Sequence, residues 1–383
     1  MIEVRGKRVL VVGFARSGRA LADLLRRRGA LVTVTDSRPA SEFAADLPDL
    51  LARKIGVELG VHRDETFLAQ DLIVVSPGVP WSLPQLQAAR RHGILVVPEV
   101  EVASWYLEGT LAGITGTNGK TTTTALLGKM LQTSGFPTFV GGNIGVPLVS
   151  AIDQIEPGSI VVAELSSFQL EAIQHLRPHV AVLLNLTPNH LDRHPTFADY
   201  VAAKAQIFRN QTRDDYAVLN ADDANVMSLA PALAGRQVLF SRRQRLVDGV
   251  LLEGHDAIYR VRNLERVLFE TSDVRLRGDF NLENALAAAA AACVLGADFE
   301  SIRRAVKEFG GVEHRLEPAG SIRGVEFYND SKATSVDATA KALAAFDRPL
   351  HLILGGKDKG APYAPLRPLV ETRVRQIYLI GAA

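Results

Sequence analysis

Short apolar runs alternate with segments of helical spacing in the N-terminal part of the chain. Strands are predicted at 8–12 and 31–35, with a helix at 17–28 between them. Further apolar runs at 72–75 and 94–97 predict two more strands. Strands that alternate with helices in this way are typical of a parallel sheet, so the pattern predicts an α/β domain.

The alternation continues through the rest of the chain, with strands predicted at 160–163, 180–184, 325–328, 350–354 and 376–380 and helices at 121–133, 197–208 and 281–295. Between 217 and 277 the pattern changes to short strands and turns, which predicts a small β excursion. A connection after 98 and a new group of strands after His314 predict three domains, at 1–107, 108–313 and 314–383.

Composition narrows the class of protein. The chain has 383 residues, and its 43 Lys and Arg against 42 Asp and Glu give a net charge of +1, so charge predicts neither a nucleic-acid nor a membrane partner. A single cysteine, Cys293, excludes an internal disulfide framework. The longest apolar run, 285–295, is shorter than the ~20 residues of a membrane helix. We therefore expect a cytoplasmic protein.

A glycine-rich turn at 113–123 reads GITGTNGKTTT and lies between a predicted strand and a predicted helix. Backbone amides in such a turn, together with the helix N-terminus, form a phosphate site. Lys120 is placed to reach the terminal phosphates and Thr121 to ligate Mg²⁺. The strict P-loop pattern is missed at one position, where Ile114 replaces glycine. The residues predicted to bind the phosphates of a nucleotide here, which the family resemblance given next implies to be ATP, are Gly116, Thr117, Asn118, Gly119, Lys120, Thr121 and Thr122.

The TGTNGKT segment in this context resembles the Mur ligase family, the ATP-dependent amide ligases of peptidoglycan precursor synthesis, and its folylpolyglutamate synthase relatives. The resemblance implies an acyl phosphate that an amine then attacks. It also implies a three-domain α/β fold, with a Rossmann-like N-terminal domain, a P-loop central domain and a Rossmann-like C-terminal domain. Only about 70 residues follow His314, so we expect that last domain to be incomplete.

Two side chains that follow predicted strands are candidate metal ligands. Glu164 ends the strand in SIVVAELSSFQ, at the edge where ligands gather in open α/β sheets, although a carboxylate there could instead cap a helix. His190, in LNLTPNHLDRH, is a candidate for contact with metal or phosphate, although a lone histidine is more often structural. His194 follows four residues later, but no third ligand for zinc is evident.

Lys204 lies on the apolar stripe of the helix at 197–208. A lysine there could extend its amine to water. A buried amine has a lowered pKa, however, and a neutral amine can take up CO₂ as a carbamate, which is an anionic ligand for Mg²⁺. The resemblance favours the second interpretation, because the family carries a carbamylated lysine in this segment that helps hold the second Mg²⁺. The predicted catalytic residues are Lys120, Glu164, His190 and Lys204, and the predicted metal ligands are Thr121, Glu164, His190 and Lys204.

The N-terminal glycine turn reads VVGFARSG and is not a full GxGxxG pattern, because Ala15 stands where the second glycine belongs. An acid at Asp36, after the second strand, leaves a dinucleotide site open on spacing alone. The resemblance implies a UDP-sugar site instead, with SPGVP at 76–80 and GGNIG at 141–145 facing the substrate. Its implied contacts are Phe14, Ala15, Arg16, Ser17, Asp36, Ser37, Arg38, Gly78 and Asn143.

Three segments, ELSSFQLE, GGNIG and NHLDRHPTFADYVAAK, resemble the branch of the family that adds D-glutamate. The implied substrates are UDP-N-acetylmuramoyl-L-alanine, D-glutamate and ATP. For ATP the resemblance implies Asn281, Asn284, Arg315 and Asp330, and for D-glutamate Lys332, Thr334 and Lys359. Asn281 could alternatively cap its helix. Ser335 departs from the family's usual asparagine.

Two other functions stay open at this point. One is a related ligase with another acceptor, such as a folate or a different muramyl peptide. The other is a non-catalytic protein that binds a UDP-sugar or nucleotide. If the C-terminal domain is incomplete, we expect the chain to bind UDP-sugar but to ligate poorly. We expect a monomer.

Overall fold

The computed structural model describes residues 2–190, 193–262, 264–356 and 362–381. By contact, the chain divides into two compact units. The first unit holds Met1–Leu111 with Phe139–Pro178, and the second holds Ala112–Thr138 with His179–Ala383. The domain boundaries near 107 and 313 stay a prediction.

The elements up to residue 178 are β1 (Arg8–Val12), α1 (Arg16–Arg27), β2 (Leu31–Asp36), α2 (Leu47–Ala52), β3 (Gly56–Leu59), α3 (Asp64–Leu68), β4 (Leu72–Val75), α4 (Pro84–Arg91), β5 (Leu95–Pro98), α5 (Glu99–Tyr106), β6 (Thr110–Thr115), α6 (Lys120–Thr133), β7 (Thr138–Gly142), α7 (Leu148–Ala151), β8 (Ile160–Glu164) and α8 (Ser167–Leu170).

The later elements are β9 (Val180–Leu183), α9 (Phe197–Ala205), β10 (Tyr216–Asn220), α10 (Ala224–Met227), β11 (Arg236–Ser241), β12 (Gly249–Glu253), β13 (Asp256–Val261), β14 (Leu264–Glu270), α11 (Asp279–Val294), α12 (Phe299–Glu308), β15 (Glu317–Ile322), β16 (Val325–Asn329), α13 (Val336–Ala344), β17 (Leu350–Gly356), α14 (Arg367–Arg373) and β18 (Val374–Gly381).

The first unit is built on a parallel sheet in the order β3-β2-β1-β4-β5. Apart from the edge strand β3, its strands are largely buried apolar runs, as expected for a sheet with helices on its faces, and the predicted α/β class is confirmed. The segment 139–178 packs on this sheet through Trp81, whose indole N–H donates to the Phe168 carbonyl at 3.2 Å. It is also held by Glu101, which is fully buried in α5.

In the second unit the strand order is β14-β13-β12-β11-β10-β9-β6. The pairs from β6 to β12 are parallel, and the hairpins of β12, β13 and β14 are antiparallel. The predicted small β excursion at 217–277 is therefore largely an extension of the same sheet, because β10 and β11 pair in parallel beside β9. The alanines of α11 are fully buried where this helix packs on α6 and the sheet.

The last part of the second unit contains two separate strand pairs. β15 and β16 form an antiparallel hairpin, and β17 and β18 pair in parallel. Large apolar side chains on the second pair are exposed, among them Ile353 at 68% and Leu379 at 72%. Among the residues that the structure describes, no helix has the length and apolar character needed to cross a membrane.

Candidate active-site regions

The phosphate loop connects β6 to α6 in the second unit. Its two glycines are required by geometry, because Gly116 has φ 150° and Gly119 has φ 85°. A Cβ at Gly119 would lie 2.1 Å from Oδ1 of Asn284. Ile114, which replaces the glycine of the strict motif, is a buried residue of β6. The departure from the motif therefore leaves the turn itself unchanged.

Hydrogen bonds join the loop to the segment that follows β9. The Thr117 amide donates to the Asn185 carbonyl at 2.9 Å, and the Thr117 hydroxyl donates to the Thr187 carbonyl at 3.1 Å. The Asn118 amide donates to the Asn185 side-chain oxygen at 2.9 Å. These bonds hold the loop in one conformation before any ligand arrives, which lowers the entropic cost of binding.

Lys120 begins α6 and turns back over the loop. Its Nζ donates to the carbonyls of Gly116 at 3.0 Å and Thr117 at 2.9 Å. The N-cap of α6 is Gly119, which supplies no side-chain cap to the first amides of the helix. A cation and a helix N-terminus without a side-chain cap therefore coincide at the loop, and both favour a phosphate chain.

A cavity of about 130 Å³ lies beside the phosphate loop, within the second unit. Most of the predicted ATP-binding residues line it, namely Asn118, Gly119, Thr121, Thr122, Asn281, Asn284, Arg315 and Asp330. The structure thus brings together residues that are more than two hundred positions apart in the sequence. Burial raises the pKa of Asp330, whose carboxylate accepts the Leu316 amide at 3.1 Å.

The two asparagines of α11 are buried and bonded to each other. The Asn284 amide donates to Asn281 Oδ1 at 3.2 Å, and the Asn281 amide donates to the Arg277 carbonyl at 2.7 Å. Asn281 therefore does not act as the cap of this helix, whose N-cap is Gly278.

Sequence analysis missed several residues of this cavity, namely Arg275, Arg277, Phe280, Tyr328 and Lys341. The guanidinium of Arg277 lies 5.3 Å from the Tyr328 ring centroid and 5.5 Å from that of Phe346. The two arginines just before α11 were the available signal, because basic side chains near a predicted phosphate site are candidates for contact with it.

Lys204 is 2% exposed and does not extend to water. Its Nζ donates to the Thr115 hydroxyl at 3.3 Å and lies 4.8 Å from the centroid of the Tyr200 ring. The Tyr200 hydroxyl in turn donates to the Thr117 hydroxyl at 3.2 Å, so Lys204 and the phosphate loop share one buried network. The carbamylation of Lys204 stays a prediction.

His190 and His194 occupy different environments. His190 has a left-handed backbone, with φ 55°, and its carbonyl accepts the His194 amide at 2.9 Å. His194 is buried edge-on against Tyr200, with 5.5 Å between ring centroids. In the described ranges, no three His, Cys, Asp or Glu side chains are grouped so as to hold a metal. A role for His190 as a ligand stays a prediction.

Glu164 ends β8 in the first unit and is 2% exposed. Its Oε1 accepts the Asn143 side-chain amide, and its carbonyl accepts the Asn143 backbone amide, both at 2.9 Å. Glu164 does not cap α8, because Ser166 and Gln169 form a capping box at that helix. The structure thus joins two predicted site residues, although the role of Glu164 as a metal ligand stays a prediction.

The N-terminal turn is organised around Asp36. One carboxylate oxygen accepts the Phe14 amide at 2.7 Å, and Arg38 donates to both oxygens through its guanidinium. Burial acts to raise the pKa of Asp36, but the hydrogen bonds from Arg38 and from the Phe14 amide outweigh it and lower the pKa to about 2. With its oxygens engaged in this way, Asp36 holds the turn, which disfavours the ribose-binding role that a dinucleotide would require.

The other residues predicted for the UDP-sugar surround that turn or lie nearby in the first unit. Ala15, Arg16, Ser37, Gly78 and Asn143 are exposed, Ser17 is half-buried, and Phe14 is 2% exposed. No heavy atom lies within 4 Å of the position that a Cβ would take at Gly78. All nine predicted contacts belong to this unit.

The residues predicted for D-glutamate lie in the last part of the second unit. Lys332 Nζ donates to the Glu313 carbonyl at 3.0 Å, and Thr334, two residues later, is exposed. Ser335, which departs from the family pattern, caps α13 by accepting the Ala338 amide at 3.2 Å. Lys359 lies outside the described residues.

Comparison with known proteins gives two family matches. Residues 7–98 match the N-terminal domain described as Mur ligase MurD-like, and residues 114–292 match the Mur ligase middle domain. UDP-N-acetylmuramoylalanine–D-glutamate ligase of Koribacter versatilis is 47% identical over 100% of this chain and 84% of its own length. The ligase of the same name from Acidobacterium capsulatum is 48% identical, over 100% of this chain and 83% of its own length.

Solved structures resemble the chain in fold. UDP-N-acetylmuramate-alanine ligase from Thermotoga maritima gives a TM-score of 0.58 at 21% identity and covers 97% of this chain and 86% of its own. MurF ligase from the same organism, in complex with ADP, gives 0.58 at 17% identity, with 99% and 82% covered.

Proposed function

The chain belongs to the Mur ligase family, and on that premise we propose that it joins D-glutamate to UDP-N-acetylmuramoyl-L-alanine with consumption of ATP. The observation that carries the proposal is the 47% identity, over the full length of this chain, to ligases named for that reaction. The phosphate loop and its cavity supply the place for ATP.

ATP would lie in the cavity of the second unit, with its phosphates on the loop at 116–122. The Asn281 and Asn284 amides, each of which can both donate and accept, would face the adenine edge. Arg315 and Arg277 are two of the cations that line the same cavity, and they would contribute to binding the charged end of the nucleotide.

The reaction proceeds in two transfers. A substrate carboxylate oxygen attacks the terminal phosphorus of ATP, the bond to the bridging oxygen breaks, and ADP leaves, which gives an acyl phosphate. The amine of D-glutamate then attacks the acyl carbon, the C–O bond to phosphate breaks, and phosphate leaves as the amide forms and the amine loses a proton. Lys120 and the N-terminus of α6 would stabilise the negative charge on the moving phosphoryl group.

We propose Mg²⁺ as the accompanying ion, with Thr121 and His190 among its ligands in the second unit. Lys204 fits this role only when modified, because an ammonium repels a cation whereas a carbamate is an anionic oxygen donor. Its burial beside Thr115 suits the modification, since desolvation favours the neutral amine that takes up CO₂. When bound, Mg²⁺ would neutralise charge between ATP and the substrate carboxylate.

Phosphate release with ATP and Mg²⁺ tests the proposal. We expect release when UDP-N-acetylmuramoyl-L-alanine and D-glutamate are present together, and no release when either is replaced by another muramyl peptide, a folate or another amino acid. Release with a different pair would instead support a related ligase. Binding of ATP and UDP-sugar without any release would support a non-catalytic protein.

A further inference from the structure

Glu99 is a buried acid that the proposed reaction does not use. It begins α5 in the first unit and is 2% exposed. Its Oε1 accepts the Gln169 side-chain amide at 2.9 Å. Its Oε2 is buried and has no hydrogen-bond partner in the described part of the chain. A buried carboxyl with one oxygen unsatisfied is costly, so its retention needs an explanation.

Glu101, two residues further along the same helix, gives the contrast. Its two oxygens accept the backbone amides of Gln174, His175 and Leu176 at 2.8 to 3.0 Å, and Oε1 also accepts the indole N–H of Trp105 at 3.0 Å. The carboxylate of Glu101 is therefore fully engaged in attaching one chain segment to another. Glu99 has a single side-chain partner, Gln169, and does not attach a distant backbone segment, which points to a different role.

Gln169 connects Glu99 to the turn that follows β8. The Gln169 side-chain oxygen accepts the Ser166 amide at 3.0 Å and the Ser166 hydroxyl at 2.9 Å, while its amide donates to Glu99. Because the amide group has one donor side and one acceptor side, the bond to Glu99 fixes which way Gln169 faces. The turn closed by Gln169 comes directly after Glu164, whose Oε1 binds Asn143.

We propose that Glu99 is a positioning residue: through Gln169 it fixes the turn after β8, and with it the Glu164–Asn143 pair that faces the reacting end of the UDP-sugar substrate. This inference rests on the proposed function, because the substrate is the one named there. It adds a residue that the sequence motifs do not include.

Protonation supports this role. Burial is the dominant influence on Glu99 and raises its pKa to about 7, against the opposing bonds from the Gln169 amide and from backbone amides. No charged group of the described residues contributes to the shift. Near neutral pH much of Glu99 is therefore an uncharged acid, and glutamine imitates that form in shape and in its acceptor oxygen.

Calorimetric titration tests the proposal, with UDP-N-acetylmuramoyl-L-alanine and UDP as the two probes. The affinity for UDP alone would depend on the turn at 14–17 and on 36–38, whereas the affinity for the whole substrate would also depend on Asn143. For Glu99→Leu we expect about 10-fold weaker binding of the whole substrate, equivalent to one lost hydrogen bond, and unchanged binding of UDP. Glu99→Gln is expected to restore the affinity to within about 2-fold of wild type at pH 6.

Gln169→Leu removes the same hydrogen bond from the other side and serves if Glu99→Leu does not fold. It is expected to produce the same selective loss, and the double variant is expected to lose no more than either single one. Glu101→Gln is the matched control on the same helix, and we expect a lower melting temperature with an unchanged ratio of the two affinities.

Equal weakening for UDP and for the whole substrate, or no weakening in a folded Glu99→Leu protein, would overturn the role of Glu99. Wild-type protein that binds the whole substrate no better than UDP would instead count against the proposed function, which keeps the two failures distinct.

Discussion

The chain twice places a glycine turn between a strand and a helix, after β1 and after β6, and the two turns differ in charge. In the turn after β6, Lys120 lies over the carbonyls of the loop and the helix N-cap is a glycine. In the turn after β1, the Phe14 amide is already bonded to the carboxylate of Asp36. The side chain beside the first turn is therefore an acid that accepts a backbone amide of the turn. The side chain over the second turn is a cation, and it lies at a helix N-terminus that has no side-chain cap.

This difference shows how similar local sequences reach different sites. A glycine turn supplies backbone amides, but the neighbouring side chains decide whether the turn attracts a chain of phosphates. Asp36, in its ion pair with Arg38, accepts the Phe14 amide and makes the first turn a rigid support. We therefore expect that changes in the second turn alter catalysis and that changes in the first unit alter stability and substrate binding.

The largest effect is expected from Lys204→Ala, which removes the buried amine that shares a network with the phosphate loop. We expect ligation to be nearly abolished, with partial restoration by a short carboxylate added at high concentration. Phosphate release measures both, and near-normal turnover without added carboxylate would contradict the carbamate proposal. NMR of the native wild type in isotopically labelled bicarbonate checks the modification independently of activity.

Lys120→Ala is expected to lower kcat by about 10²- to 10³-fold, because the loop loses the cation that would meet charge developing on the phosphoryl group. Binding of UDP-N-acetylmuramoyl-L-alanine should not change. Lys129→Ala is the matched control, since Lys129 lies on the same helix and forms an ion pair with Glu308 at 3.0 Å. A similar loss of kcat in both variants would show that the position of Lys120 over the loop is not what matters, and would contradict the role given to the second turn.

Glu99→Gln tests the buried acid of the first unit. Because the pKa of Glu99 is raised from 4.5 to about 7, its stabilising contribution is complete below pH 4.5 and is lost as pH rises through about 7. A shift of that size corresponds to roughly 3 kcal/mol. We expect the variant to lack this loss, so that its unfolding free energy relative to wild type rises between pH 5 and 8 in urea titrations.

Asp36→Asn is expected to change the free energy of unfolding least. The pH dependence of the Asp36 contribution has the opposite sign to that of Glu99. The pKa of Asp36 is lowered from 3.8 to about 2, so its contribution is present above pH 3.8 and is lost as pH falls through about 2. Solvent near the half-exposed Arg38 screens the pair, and we expect about 1 kcal/mol. Thermal unfolding of the variant and of wild type at pH 7 and pH 2.5 measures this contribution. An equal difference in stability between the two proteins at both pH values would show that the charge of Asp36 is not involved.

The sequence predicted best what depends on local pattern. The phosphate loop, the parallel strands and the apolar helix that carries Lys204 each leave a signal within about fifteen residues, through glycine positions or periodicity. The cavity residues Asn281, Asn284 and Arg315 came from the family resemblance, because no local pattern connects them to the loop.

Long-range packing produced what the sequence could not predict. Arg277 becomes part of the cavity beside the phosphate loop because α11 packs against α6. Glu99 acquires its environment from Gln169, seventy positions later. The contacts of 139–178 with α5 likewise depend on pairings between distant segments. A charged residue inside an apolar run was the available signal for Glu99 and Glu101, but it does not specify the partner.

The attachment of Glu101 to three successive amides also bears on the order in which the chain can fold. As a nascent chain emerges from its N-terminus, the sheet of β1 to β5 is complete by residue 98, yet the partners of Glu101 lie at 174–176. Until those residues emerge, α5 carries a carboxylate that cannot be buried without its hydrogen bonds. The first unit must therefore close a loop of about seventy residues, including a piece of the second unit, before its own core is finished.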